Sequence, residues 1–157
     1  MVVLTIAILC PANTLQADFV NVPFSSFHQG DAGFRHYTLA SGYVFSPNNS
    51  VTLFAPVHLP DGVVIKNIRL SYLDNDGAFN IELSLKRMNM FSGELNTMFS
   101  TSSSGASGSM RTVVDSSCSP AASYRKVYNN ACQYFLQVSL RTPSTQQIYA
   151  VTIEYQQ

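Results

Sequence analysis

The sequence predicts an all-β protein, a two-sheet antiparallel β-sandwich that is jelly-roll-like. Three observations carry this. Apolar and polar residues alternate with a period of two in several runs, the pattern of a strand with one buried face. Clusters of Gly, Pro, Asn and Asp separate those runs at short spacing. No stretch holds a helical period for long. The chain of 157 residues suits a single domain with its own core. Hydrophobic residues at 46% exclude a disordered chain, and charged residues at 11% leave too few Glu and Lys for long surface helices.

Residues 1–17, MVVLTIAILCPANTLQA, open the chain with an apolar run from Val2 to Cys10, broken by Pro11 and Asn13 and followed by the small residue Ala17. This is the layout of a secretory signal cleaved after Ala17, although a basic start is missing. The run is too short to span a bilayer. The alternatives are a buried strand from Val2 to Leu9 or a retained hydrophobic anchor. A lipoprotein signal needs a small residue before Cys10, and Leu9 is not small.

The mature domain is then 18–157. Residues 18–41 read as an N-terminal arm or an edge strand followed by a loop. Phe19, Pro23, Phe24 and Phe27 fit no clean period, and Gly30 and Gly33 interrupt the stretch after them. Strands are expected at 42–47 and 51–57, with Pro56 implying an edge position or a bulge. The turn Leu59-Pro60-Asp61-Gly62 leads into a long strand at 63–73. Residues 79–88 give the clearest pattern: Phe79, Ile81, Leu83 and Leu85 alternate with Asn80, Glu82, Ser84 and Lys86. Shorter strands are expected at 96–104 and 110–115, around a polar linker at 102–109. Residues 116–131 read as a loop. Then Tyr134, Leu136, Val138 and Leu140 alternate with Phe135, Gln137, Ser139 and Arg141, and Tyr149, Val151, Ile153 and Tyr155 alternate after a turn at 142–145. The runs 63–88 and 132–155 each look like an antiparallel hairpin.

The stretch between the first pair of strands, Asp74-Asn75-Asp76-Gly77, has two readings. Asp74, Asn75 and Asp76 are oxygen-bearing side chains of the kind that bind calcium. The same residues are also ordinary turn formers. A helix-loop-helix calcium loop would need a bidentate Glu where Leu85 stands, so that form is excluded. A looser calcium site would borrow Asp61 or Asp115 from elsewhere, and otherwise no cofactor is expected.

Cysteine usage agrees with export. Once Cys10 leaves with the signal, Cys118 and Cys132 remain as the simplest disulfide framework. The bridge would close a loop of about 15 residues, worth roughly 3 kcal/mol. Two buried thiols are the alternative.

Other chemistry is sparse. Nine basic residues balance nine acidic ones, and the dibasic pairs Lys86-Arg87 and Arg125-Lys126 make no clustered field, so nucleic acid is not a partner. Phosphate-binding loops, zinc-protease motifs and a G-x-S-x-G elbow are all missing. His58 reads either as a ligand or a base with Asp61, or as a lone hydrogen-bonding turn residue. His28 and His36, with Asp31 between them, form a low-specificity metal pair. No catalytic residue is expected, and the protein reads as a non-enzyme. The lack of Trp weakens a sugar-stacking module, but Tyr37, Tyr43, Tyr124, Tyr128 and Tyr149 can replace it. Tyr124 and Tyr128, in the loop of 116–131, are the binding candidates.

The segment FAPVHLPDGVVIKNIRLSYLDNDG, residues 54–77, resembles a pattern in uncharacterised secreted bacterial proteins, F-x-A-P-V-x-L-P-x-G with a strand and Y-x-D after it. The ending YAVTIEY, 149–155, is similar to how those chains end. The resemblance implies export and a β-sandwich, and no activity.

Two functions are expected on these grounds. The first is a secreted, periplasmic or cell-surface protein that acts in structural assembly, self-associating through the strand-like segment DFVNVPFSSF donated to a neighbouring copy. The alternative is a module that binds carbohydrate or another surface, stabilised by calcium. The mature chain is expected to have no stable membrane span.

Overall fold

A computed structural model describes residues 17–30, 38–40, 42–47, 50–118, 122–142 and 145–157. The expected signal segment up to residue 16, with Cys10, lies outside them, as do Asp31, His36 and Tyr37. In chain order the strands are β1 Ala17–Pro23, β2 His28–Gln29, β3 Thr38–Ala40, β4 Tyr43–Phe45, β5 Val51–Val57, β6 Val64–Asp74, β7 Glu82–Asn89, β8 Leu95–Ser102, β9 Ser107–Asp115, β10 Cys132–Leu140 and β11 Gln146–Gln156. Phe24–Ser26 and Ala122–Arg125 form short 3-10 turns. No helix among the described residues is long and apolar enough to cross a membrane.

The strands make the two-sheet antiparallel sandwich that the alternation predicts. The first sheet has the order β3-β4-β11-β6-β9, with β1 also paired to β11. The second has the order β2-β5-β10-β7-β8. Period two places every other residue in the space between the sheets. In the second sheet these include Leu53, Leu83, Leu85, Leu136 and Val138, and in the first Ile68, Leu70, Val151 and Ile153, all with no solvent exposure. Burying each such side chain is worth about 1.5–3 kcal/mol, which makes this shared layer the main source of stability.

The free edges of the two sheets meet on one side. Asp115, on β9, accepts a hydrogen bond from the Ser100 backbone N–H, on β8, at 3.0 Å. The outer surface of the first sheet carries polar cross-strand pairs. Asn67 donates to Glu154 at 2.6 Å, and Thr152 donates to Asn21 at 2.9 Å.

Four expectations change. The runs 63–88 and 132–155 are not hairpins: β6 and β7 lie in different sheets, and so do β10 and β11. The residues Asp74 to Gly77 therefore carry the chain across the sandwich. Alternation reports a buried face and is silent on which strand lies alongside. Residues 18–23 are not a loose arm, because β1 pairs with β11 of its own chain from Ala17↔Gln156 to Pro23↔Ala150. The segment expected to reach a neighbouring copy is thus held within its own sheet. Phe79 and Ile81 both lie before β7: Phe79 is half exposed and Ile81 is buried, and the strand's own buried set starts at Leu83. The polar linker is shorter than expected, since β9 begins at Ser107. Pro56 does mark an edge: β2 pairs only with Leu53 and Phe54, which leaves that side of β5 open at Pro56.

Candidate functional site

The outer face of the second sheet is the counterpart of its buried face. Along β5 and β10 the apolar set Leu53, Ala55, Leu136 and Val138 points inward, so Phe54, Pro56, Phe135 and Gln137 point outward. Register brings them together: Pro56 faces Phe135, and Phe54 faces Gln137. The Phe54 and Phe135 rings lie 6.0 Å apart, tilted by 53°. On the open side of β5, His28 pairs with Phe54. The Gly30 backbone then crosses over the Phe54 ring. A Cβ at Gly30 would lie 2.7 Å from Phe54 Cε2, so only glycine fits there without moving the ring.

Phe54, Pro56 and Phe135 floor a groove of about 790 Å3, within the usual range for ligand sites. His28 and Gln29 form one side. His58, Leu59, Met90 and Asn129 close one end, and Ala55, Val57, Cys132, Gln133 and Tyr134 complete the lining.

Three loops build that end and tie one another down. Asn129 donates its backbone N–H to Asp61 and its side-chain amide to the Leu59 carbonyl, both at 2.8 Å. The Met90 N–H donates to the Ala131 carbonyl at 2.8 Å. The Gly62 N–H donates to Val127 at 3.0 Å, and the Val127 N–H returns to Val63 at 2.9 Å. Gly62, at φ 79°, makes the turn that brings this backbone into register. The Tyr128 N–H donates to the Tyr134 hydroxyl at 2.9 Å, and burial raises the Tyr134 phenol above its ordinary pKa.

Among the described residues, no Asp, Glu, Lys or Arg lines the groove. Its polar groups are amides, two imidazoles, a phenol and a thiol. Such a lining suits stacking and hydrogen bonding to a neutral ligand. Two-carboxylate glycoside hydrolysis finds no acid among these residues. Of the histidines weighed in the sequence, His28 and His58 both line the groove. Asp61 is engaged with Asn129 rather than with His58.

The other candidates separate. Tyr124 stacks under the Arg87 guanidinium, 4.5 Å from the ring centroid, and does not line the groove. Tyr128 is 41% exposed, with Lys126 Nζ 5.6 Å from its ring, and stands beside the groove through its bond to Tyr134. Tyr43 and Tyr149 pair with each other on the first sheet, with centroids 5.5 Å apart.

Cys118 and Cys132, expected as a disulfide, are not joined in the structure. Cys118 comes after β9 and lies near Arg125 and Asp115, with burial raising its thiol pKa. Cys132 opens β10, in the other sheet, beside Tyr134.

Asp74, Asn75 and Asp76 lie at the β6–β7 crossing, where local groups occupy their polar atoms. Asp74 is fully buried; its carboxylate accepts from the Ser103 hydroxyl, from Gln146 Nε2 at 3.4 Å and from the Asp76 N–H at 3.1 Å. The Asn75 N–H donates to the Thr145 carbonyl at 2.9 Å. Asp76 caps its own turn, accepting from the N–H groups of Ala78 at 2.6 Å and Phe79 at 3.2 Å. Among the described residues, no group of three or more His, Cys, Asp or Glu side chains could hold a metal ion.

No family profile matches the chain, and no curated protein matches it. Its fold is shared with solved structures. A xylan-binding module, CBM15, superposes with a TM-score of 0.58 at 12% identity, covering 88% of this chain and 97% of that one. The C-terminal CBM6 of the laminarinase LamC from Zobellia galactanivorans gives 0.54 at 14% identity, covering 87% and 98%. The CBM22-1–GH10 modules of xylanase 10B from Clostridium thermocellum give 0.54 at 14% identity, covering 88% of this chain and 28% of that one. At these identities the likeness establishes the jelly-roll β-sandwich.

Proposed function

We propose that the protein is a non-catalytic glycan-binding module that works outside the cytoplasm and holds neutral polysaccharide in the groove over its second sheet. The observation that carries this reading is the outward pair Phe54 and Phe135 on the groove floor, flanked by Gln133, Asn129, His28 and His58. An apolar ring face matches the C–H face of a sugar, and amides and imidazoles match its hydroxyls. The folds it shares with carbohydrate-binding modules support the same reading. So do the low charge and the signal-like opening of the chain.

Affinity electrophoresis through gels containing xylan, laminarin or mannan tests it. The wild type should be retarded in at least one gel, and Phe54→Ala and Phe135→Ala should migrate freely in that gel. Free migration of the wild type in every gel, or equal retardation of the variants, would overturn the reading.

A further inference from the structure

We infer that the bound glycan runs past the end of the groove and over the β7–β8 turn, where Phe91 serves as an outlying stacking platform. The module would then read a run of sugar units rather than a single terminal unit. This rests on the glycan reading of the groove.

Phe91 is 83% exposed, the most open of the large apolar side chains among the described residues. Single exposed apolar residues are common and call for no explanation by themselves. Two further observations separate this one. First, the turn is rigid. Asn89 Oδ1 accepts from the N–H groups of Phe91 at 2.9 Å and Ser92 at 3.2 Å. The Gly93 N–H donates to the Asn89 carbonyl at 2.9 Å, and the Asn89 N–H donates to Glu94 at 2.9 Å. Gly93, at φ 71°, lets the turn close. None of these bonds uses the Phe91 side chain, so the fold does not require a phenyl there. With the backbone of the turn ordered, only the ring's own two torsions remain to be fixed when a ligand stacks on it.

Second, the turn continues the groove. Met90, the neighbour of Phe91, lines the groove and is hydrogen-bonded to the 128–131 loop. Met88 faces Gln133 of the groove on one side and Leu95 on the other. Leu95 is 54% exposed and Met90 is 43% exposed. An apolar strip therefore leads from the groove to Phe91, with no acidic or basic side chain among its four members. A sugar chain can track it by its C–H faces.

Calorimetry of the full chain with the trimers and hexamers of β-1,4-xylose, of β-1,3-glucose and of β-1,4-mannose tests the inference. The wild type should bind a hexamer more tightly than the matching trimer. Phe91→Ala should lower hexamer affinity about fivefold and leave trimer affinity unchanged, and Phe91→Trp should keep the wild-type ratio. Equal affinities of the wild type and Phe91→Ala at both lengths would overturn this inference and leave the groove reading standing. Loss of trimer and hexamer binding in equal measure would place Phe91 in the groove itself and also overturn it. If the wild type binds none of the oligomers, both the groove reading and this inference fail.

Discussion

Gln146 Nε2 donates to the Asp74 carboxylate at 3.4 Å, and neither side chain has any solvent exposure. The pair is the centre of a polar node at one end of the sandwich. Gln146 also donates to the Phe79 carbonyl at 2.8 Å and accepts from the Arg141 N–H at 2.7 Å. Ser103 donates to Asp74 and accepts from the Ile81 N–H at 2.7 Å. The node thus staples the β6–β7 crossing, the end of β8 and the β10–β11 connection. Asp74→Ala would leave the Ser103 hydroxyl, the Gln146 amide and the Asp76 N–H without their buried acceptor. It should destabilise the fold by about 3 kcal/mol, read as a lowered urea midpoint with an unchanged slope. Addition of calcium should not restore the midpoint.

Asp76 gives a pH dependence. The Thr142 hydroxyl beside it (buried and short of strict hydrogen-bond geometry) and the N–H groups of Ala78 and Phe79 hold its carboxyl below the ordinary value of 3.8. The folded state then keeps this charge to lower pH than the unfolded chain does. Its contribution is complete above the unfolded value and is lost as pH falls through the lowered folded one. Urea midpoints of the wild type and Asp76→Asn should differ at neutral pH and converge well below 3.8. A gap that stays constant with pH would show that the carboxylate charge is not what holds the turn.

Gly30 is predicted to position Phe54. Gly30→Ala forces the Phe54 ring away from a Cβ that would otherwise sit 2.7 Å from it. Retention by the polysaccharide that binds the wild type should weaken at least about threefold, with the thermal midpoint nearly unchanged because both residues lie on the outer face. Phe54→Ala combined with Gly30→Ala should bind no worse than Phe54→Ala alone. Additive losses would assign Gly30 an effect of its own.

Tyr124 should separate stability from binding. Its ring lies under Arg87 and away from the groove. Tyr124→Ala should cost about 1 kcal/mol of stability, measured by denaturant, and leave polysaccharide retention unchanged. Reduced retention with intact stability would return Tyr124 to the binding surface.

The strands are legible in the sequence to within a few residues because their signals are local. The expected strand at 51–57 coincides with β5, where a β-branched and aromatic run is bounded by turn residues on both sides. The groove is less legible. Phe135 falls in the polar phase of its strand, in step with Gln137 and Ser139, so it can be recognised as an aromatic ring on the exposed face. Phe54 has no such mark, since VTLFAPV carries apolar residues on both faces. Tyr124 and Tyr128 stand out because tyrosines in a loop resemble a binding surface, yet neither lines the groove. Asp74 stands out for its oxygens, and in the fold those oxygens accept buried hydrogen bonds from Ser103 and Gln146.

The sequence by itself determined the fold class, the longer strands and the alternating core residues they carry, while β2 and β3 fall in the stretch read as an arm, or an edge strand and loop. Period-two alternation and turn chemistry act over a few neighbouring residues, and burial of one face is their direct result. Only the tertiary structure decided which strands pair. It put β6 and β7, and likewise β10 and β11, in opposite sheets, returned β1 to its own chain and set Phe54 beside Phe135. Pairing depends on contacts between residues far apart in the chain, whose cost and reward lie in the whole packed sandwich and in no single stretch of it.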